Sequence, residues 1–338
     1  MEFSPSNESD NVSLSKFESM LKTNNVFFFD SNEFENIIHH YLEIGKIALA
    51  KKAINLGLDQ HPSSVNLRLF KVEVLIFEND FNAAERLLNS LFQLEPNNEE
   101  LYIQKANIYS KKDQHQKAID IFMEALNIAE DCSEIHSLIG MEYLFLERYE
   151  EAKIHFIKCV VLDIEDYSAL YNIIYCFEFL GQTKTAIEFL NWYLDQNPYC
   201  EIAWHQLGKQ YLEEKEFQKA LTAFDFAIIS DDTFIGAYLE KAKVLQRLNR
   251  FEEAIEHYNI SMAIEGTTAY TLLKIGYCYE HIKKDDKALQ CYMKSVEEDP
   301  AVDKGWMGIS TFYFSKKDFL KSLFYMNKAI DIDDENAD

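Results

Sequence analysis

The stretch "EIAWHQLGKQYLEEKEFQKALTAFDFAIISDDTF", residues 201–234, decides the fold of this 338-residue chain. Apolar or small residues recur in its first half at positions 4, 7, 8 and 11, which are Trp204, Leu207, Gly208 and Tyr211. Its second half has the same kind of stripe at positions 20, 24 and 27, which are Ala220, Phe224 and Ala227. Spacings of three and four residues place side chains on one face of an α-helix. The stretch therefore predicts two amphipathic helices joined by a short turn.

This pattern recurs with a period of 34 and without insertion or deletion. It divides the chain into nine units: 31–64, 65–98, 99–132, 133–166, 167–200, 201–234, 235–268, 269–302 and 303–336. Position 20 is small in every unit: Ala50, Ala84, Ala118, Ala152, Ala186, Ala220, Ala254, Ala288 and Ser322. A small side chain there lets two helices approach closely. Gly45, Asn79, Gly181 and Asn249 occupy position 15, where a tight turn favours residues that tolerate left-handed backbone.

The units match the pattern W-x2-L-G-x2-Y…A-x3-F, so the chain resembles tetratricopeptide-repeat proteins over residues 31–336, and stand-alone bacterial members in particular. The resemblance implies an all-α fold, a right-handed α-solenoid (superhelix) of helix-turn-helix repeats. It also implies that the first helix of each repeat lines a concave groove, where ligands meet positions 2, 5, 6, 9, 12 and 13. Ile38, Val72 and Ile174 depart from the small residue usual at position 8, and we expect a looser fit there.

The two ends of the repeat array differ in character. Residues 1–12 are polar and predicted to be disordered, and residues 13–30 are predicted to form an N-terminal cap on repeat one. Asp30 and Glu33 have the spacing of a capping box. At the other end, the apolar last helix is followed by an acidic tail, residues 331–338. That helix is either kept in solution by the tail or forms an edge that self-associates or docks a partner.

Composition excludes several classes of function. With 57 acidic and 33 basic residues the formal net charge is −24, which would repel a nucleic acid. No segment is long and apolar enough for membrane insertion, no basic and apolar leader begins the chain, and the six cysteines are scattered, so we expect a cytoplasmic protein. No nucleotide-binding loop or nucleophile motif occurs, and Glu151, His155 and Cys159 are better read as packing and surface residues than as metal ligands. We therefore expect neither a cofactor nor catalysis.

Aromatic residues exceed what packing requires in "YNIIYCFEFL", residues 171–180. Tyr171, Tyr175 and Phe179 fall at groove positions 5, 9 and 13 of repeat five, beside the packing stripe. Repeat four adds Met141 and Phe145 at positions 9 and 13. Such residues are typical of binding hot spots. The alternative is that the superhelix buries these rings between repeats.

Cations follow in the next repeats. Lys209, Lys243, Arg247 and Lys274 are at groove positions 9, 9, 13 and 6 of repeats six to eight. They would suit an acidic side chain or a C-terminal carboxylate, although Glu213 and Glu240 lie among them and leave a self-neutralised groove as the alternative. The predicted set is completed by four further groove residues: Asn107, Asn172, His205 and Tyr277.

The function predicted from these features is a non-catalytic adaptor or scaffold. Its partner would be another protein or peptide with apolar or aromatic anchors and an acidic or C-terminal carboxylate anchor. The alternative is a structural scaffold or accessory subunit, which forms a homo-oligomer through repeat nine or docks through its acidic convex face.

Overall fold

The structure, a computed structural model, describes residues 6–23 and 27–332. Over this range it contains 19 α-helices and no strand, which confirms the all-α prediction. After α1 (Ser6–Thr23) the helices fall in pairs, one pair in each 34-residue unit. The first four pairs are α2 (Ser31–Glu43) and α3 (Ile47–Gln60), α4 (Val65–Phe77) and α5 (Phe81–Phe92), α6 (Glu99–Lys111) and α7 (His115–Leu126), and α8 (Ser133–Phe145) and α9 (Tyr149–Leu162).

The remaining pairs continue the same order. They are α10 (Tyr167–Leu180) and α11 (Thr183–Gln196), α12 (Glu201–Glu213) and α13 (Phe217–Ser230), α14 (Ile235–Arg247) and α15 (Phe251–Glu265), α16 (Ala269–His281) and α17 (Asp285–Glu298), and α18 (Asp303–Ser315) and α19 (Phe319–Ile330). Two compact units make up the chain, Met1–Cys176 and Phe177–Asp338.

The turn between the paired helices has one conformation in all nine repeats. Position 15 is left-handed throughout, with φ between 55° and 69°, at Gly45, Asn79, Asp113, Glu147, Gly181, Lys215, Asn249, Lys283 and Lys317. The expectation for the glycines and asparagines is met, and charged residues adopt the same backbone despite its cost. Two hydrogen bonds hold such a turn in repeat six, from the N–H of Lys215 to the carbonyl of Leu212 (3.0 Å) and from the N–H of Glu216 to the carbonyl of Tyr211 (2.8 Å).

The residues at positions 8 and 24 have complementary sizes across each helix pair. A Cβ added to Gly208 would lie 2.5 Å from the ring of Phe224, so the ring fills the space that a side chain would need. Larger residues at position 8 face smaller ones at position 24. The pairs are Ile38 and Ile54, Val72 and Leu88, Ala106 and Phe122, Gly140 and Phe156, Ile174 and Leu190, Gly208 and Phe224, Ala242 and Tyr258, Gly276 and Tyr292, and Ser310 and Met326. Ile38, Val72 and Ile174, where a looser fit is expected, are all buried.

The N-terminal segment packs on repeat one. Phe17 of α1 and Phe29 are fully buried in one cluster with Phe34 of α2. The hydroxyl of Ser13 donates to Glu33 (2.7 Å), which also accepts from the N–H of Asp30 (2.9 Å), so the predicted capping box is present. Helix α1 begins at Ser6, so residues 6–12 of the stretch expected to be disordered belong to it, because the polar residues extend a helix that Phe17 anchors. Residues 1–5 of that stretch, and 333–338 of the acidic tail, lie outside the described residues.

Repeat four contains two buried histidines in contact. The Nδ1 atoms of His136 and His155 are 3.1 Å apart, close enough for one neutral ring to donate a hydrogen bond to the other. Burial is the main cause that lowers the pKa of both, and that of His155 falls to about 4 with a further contribution from His136. Both rings are therefore neutral at pH 7.

The packing of Gly208 predicts the effect of a single methyl group. Gly208→Ala should lower the free energy of unfolding by about 1–2 kcal/mol, because the cost of overpacking exceeds the gain in helix propensity. Urea denaturation followed by circular dichroism measures the change. Gly236→Ala is the matched control, since a Cβ there meets no atom closer than 3.4 Å. Equal stability losses in the two variants would contradict the role of the glycine at position 8.

The histidine pair predicts a loss of stability in mild acid. The unfolded chain takes up a proton near pH 6.5 that the folded His155 accepts only near pH 4, so the native state is fully favoured above pH 6.5 and weakens as the pH falls below it. At pH 5 this group alone should cost about 2 kcal/mol. Urea denaturation at pH 7 and pH 5 should show a smaller loss for His155→Gln than for the wild type. An identical pH dependence in both proteins would be incompatible with this assignment.

Candidate functional site

The second unit contains a cavity of about 590 Å³ between the first helices of repeats seven to nine. We call it the cationic cavity, because four basic residues line it: Lys243, Arg247, Lys274 and Lys304. Three of them, and Tyr277, belong to the predicted groove set, so the structure brings these residues to one place. Lys304 was not predicted, although it occupies position 2 of repeat nine, a groove position that the repeat numbering already identified.

The four cations differ in how they are neutralised. The ammonium of Lys243 lies 2.7 Å from the carboxylate of Glu240, at a neighbouring groove position. The ammonium groups of Lys243 and Lys274 both lie near the ring of Tyr270, at 5.7 and 5.3 Å from its centroid. In the part of the chain that the structure describes, no carboxylate forms an ion pair with Arg247, Lys274 or Lys304. Three of the four cations therefore have no ion-pair partner among the described residues.

The crowding of these charges changes the acidity of Lys274. Burial, and then the positive charges of Lys304 and Lys243, lower the pKa of this ammonium. The ammonium of Lys274 therefore carries its positive charge at a position where its surroundings destabilise that charge. An anion in the cavity would relieve this repulsion.

Glu280 is the one carboxylate among the described residues that line the cationic cavity, and a buried tyrosine holds it in place. The hydroxyl of Tyr292 donates to Glu280 (2.7 Å), and Tyr292 packs between two glycines. A Cβ on Gly276 or on Gly308 would each lie 2.6 Å from the Tyr292 ring. Burial, followed by the hydrogen bond with Glu280, raises the pKa of Tyr292, so the phenol stays protonated and donates.

The first unit contains a cavity of opposite charge. It has a volume of about 520 Å³ and lies along repeats one to four, and four glutamates line it: Glu35, Glu73, Glu100 and Glu134. Burial is the main cause that raises the pKa of Glu73 and Glu100. Of its lining residues only Asn107 was predicted, because the acids occupy three different groove positions in four repeats.

The aromatic residues predicted for repeats four and five are exposed. In the first unit we define the aromatic patch as Met141 and Phe145 on α8 with Tyr171 and Tyr175 on α10; between 38% and 62% of each side chain is accessible. Phe145 stacks on His115 at 5.0 Å, and Tyr175 contacts Tyr149 edge-on at 6.2 Å. Neighbouring repeats therefore do not bury these rings. Phe179, which belongs to the second unit, is also exposed.

The other predicted residues are placed differently. Lys209 is 3.6 Å from Glu178 and does not line the cationic cavity. His205 lies against Phe224 and Phe234, and burial lowers its pKa to about 4, so this ring is a neutral packing group more than a groove ligand. Asn107 lines the acidic cavity of the first unit, and Asn172 is half-buried on α10.

The remaining chemistry of the described residues is sparse. Within residues 6–23 and 27–332, no group of three His, Cys, Asp or Glu side chains is placed to hold a metal ion. Burial raises the pKa of Cys159 to about 11, and its thiol donates to the carbonyl of Ser133 (3.4 Å). None of the described helices has the length and apolar character to cross a membrane.

Comparisons with known proteins agree with this architecture. Anaphase-promoting complex subunit 3 of Schizosaccharomyces pombe is 24% identical over 204 residues, which are 60% of this chain and 31% of that protein. Protein O-mannosyl-transferase TMTC3 of Homo sapiens is 24% identical over 257 residues, 72% of this chain and 27% of that protein. The chain thus spans less than a third of the length of either relative.

A solved structure shares the fold. The C-terminal part of a TPR repeat-containing protein from Cytophaga hutchinsonii aligns with a TM-score of 0.57 and 17% identity, over 71% of this chain and 99% of that structure. Family models described as tetratricopeptide repeat match residues 75–141, 133–163, 235–261, 269–302 and 304–336, together more than half of the chain. The chain belongs to the tetratricopeptide repeat family.

Proposed function

We propose that this chain is a non-catalytic adaptor that holds a segment of another protein against the first helices of its repeats. The observation that carries the proposal is the aromatic patch. Tyr171 and Tyr175 are 46% and 43% exposed, one turn apart on α10, although the packing stripe of this helix is already complete. Large, rigid aromatic side chains give much contact area for little lost conformational freedom, which is why they dominate binding hot spots.

The family supports the same class of function. Tetratricopeptide-repeat proteins mediate protein–protein interactions and scaffold assemblies. The relative from Schizosaccharomyces pombe is named as a subunit of a complex. This chain spans 31% of that relative. The similarity therefore supports a binding role for this chain, whose partner experiment has to identify.

Selection from a random peptide library displayed on phage tests the proposal. The wild-type chain should enrich peptides with apolar or aromatic residues, and the double substitution Tyr171→Ala with Tyr175→Ala should weaken their binding by a factor of about 100, as expected when two hot-spot rings are removed. Fluorescence anisotropy with an enriched, labelled peptide measures the affinity.

The matched control removes exposed apolar residues from the second helix of repeat four. Ile154 and Val161 are 52% and 63% exposed on α9. Ile154→Ala with Val161→Ala should leave the peptide affinity unchanged. The groove proposal fails if this control loses binding as strongly as the tyrosine variant, or if the tyrosine variant binds like the wild type.

A second candidate function is self-association through repeat nine. Helix α19 exposes an apolar face, with Leu320 84%, Leu323 60% and Phe324 57% accessible. Phe314 and Phe319 are exposed beside it and pack edge-on at 5.5 Å. An exposed apolar surface of this kind is typical of an interface.

Light scattering decides whether α19 forms that interface. If it does, the wild-type chain at micromolar concentration should have twice the monomer mass, and Leu320→Glu with Leu323→Glu should restore the monomer, because a buried charge opposes association. A wild-type chain that is monomeric throughout, or a dimer that survives the substitutions, would rule out this candidate.

A further inference from the structure

The charged residues that line the cationic cavity carry a net positive charge. Lys243 is neutralised by Glu240 at 2.7 Å, whereas Arg247, Lys274 and Lys304 have no ion-pair partner among the described residues. Glu280 contributes the one negative charge of the lining. Three uncompensated cations and one carboxylate leave two positive charges inside a protein whose formal net charge is −24.

We propose that the cationic cavity binds a phosphate monoester carried on a segment of another protein. The inference rests on the proposed adaptor function and names the chemistry that the second unit recognises. Phosphorylated serine, threonine or tyrosine side chains carry a charge of about −1.5 to −2 at pH 7 and present three acceptor oxygens.

The charge count favours a dianion over a carboxylate. A carboxylate would cancel one of the two excess charges, and the repulsion between Lys274 and Lys304 would persist in part. A phosphate monoester cancels both. Arg247 adds a planar fork of donors that matches phosphate oxygens in two parallel hydrogen bonds, and the two lysines add flexible point charges.

The rest of the lining favours a protein segment over a free anion. Leu273, Met307 and Tyr277 line the same cavity, and they provide an apolar surface that inorganic phosphate would not use. A volume of about 590 Å³ accommodates more than a phosphate group. A nucleic acid would meet the acidic remainder of the protein and be repelled.

Glu280 adds a hydrogen-bond acceptor to the cationic cavity. Its carboxylate accepts a hydrogen bond from Tyr292 at 2.7 Å, which fixes it against the second helix of repeat eight. Its other oxygen is an acceptor suited to a backbone N–H, the donor that every peptide segment carries and a free phosphate lacks. The cavity thus offers cations for the phosphate and an acceptor for the chain that bears it.

Fluorescence anisotropy with short fluorescein-labelled peptides tests this inference. The probe has a central phosphoserine flanked by leucines, and two reference peptides carry serine or glutamate in its place. The phosphoserine peptide should bind at least about tenfold more tightly than either reference, since it alone supplies a dianion. Its affinity should fall with rising salt.

Two substitutions locate the site. Lys274→Gln and Lys304→Gln should each weaken the phosphoserine peptide by about tenfold while leaving the serine peptide unaffected. Lys294→Gln is the matched control, because Lys294 is exposed on α17, the second helix of repeat eight, and does not line the cavity. Circular dichroism checks that each variant is folded.

Several outcomes would overturn the inference. The first is an equal affinity for the phosphoserine and glutamate peptides. The second is that inorganic phosphate binds as tightly as the phosphopeptide. The third is that the Lys274 and Lys304 variants bind the phosphopeptide as the wild type does. The phage-selected peptide separates this failure from that of the adaptor function. If that peptide binds and the phosphopeptide does not, only the inference fails; if neither binds, the proposed function fails as well.

Discussion

The close contact between the two helices of each repeat is the constraint on which the structure depends. Alanine at position 20 is fully buried in the first seven repeats, where its small side chain suits a close approach of the two helices. Position 8 faces an aromatic or aliphatic residue at position 24 across this contact, and the two sizes compensate. Each repeat is thereby a rigid unit, and its first helix can present residues that packing does not use.

In repeat eight the close packing of the helices also determines the position of a groove residue. Because Gly276 and Gly308 have no side chain, Tyr292 of the second helix inserts between the first helices of repeats eight and nine. Its hydroxyl then holds Glu280 in the cationic cavity. A core substitution that displaced Tyr292 would therefore alter the charge pattern of the cavity, although it touches no ligand. The packing and the chemistry of the second unit are connected through one side chain.

The sequence predicted the fold well because the period of 34 fixes every helix and turn at once. Its register predicted that Tyr171 and Tyr175 lie beside the packing stripe, but their exposure depends on neighbouring repeats and needed the structure. The acidic cavity was missed because the residues that meet there come from four repeats and are far apart in sequence, whereas Lys304 was missed although it occupies a known groove position. The placement of His205 was not predicted either, because its ring contacts Phe224 and Phe234 of its own repeat, and a groove position alone does not reveal these contacts.

A crystal structure of the chain with a library-selected peptide tests whether the first helices of the repeats hold a segment of another protein. We expect the peptide to lie along first helices, with its apolar side chains against Tyr171 and Tyr175 on α10. A peptide bound to the second helices, or to the exposed face of α19, would contradict it.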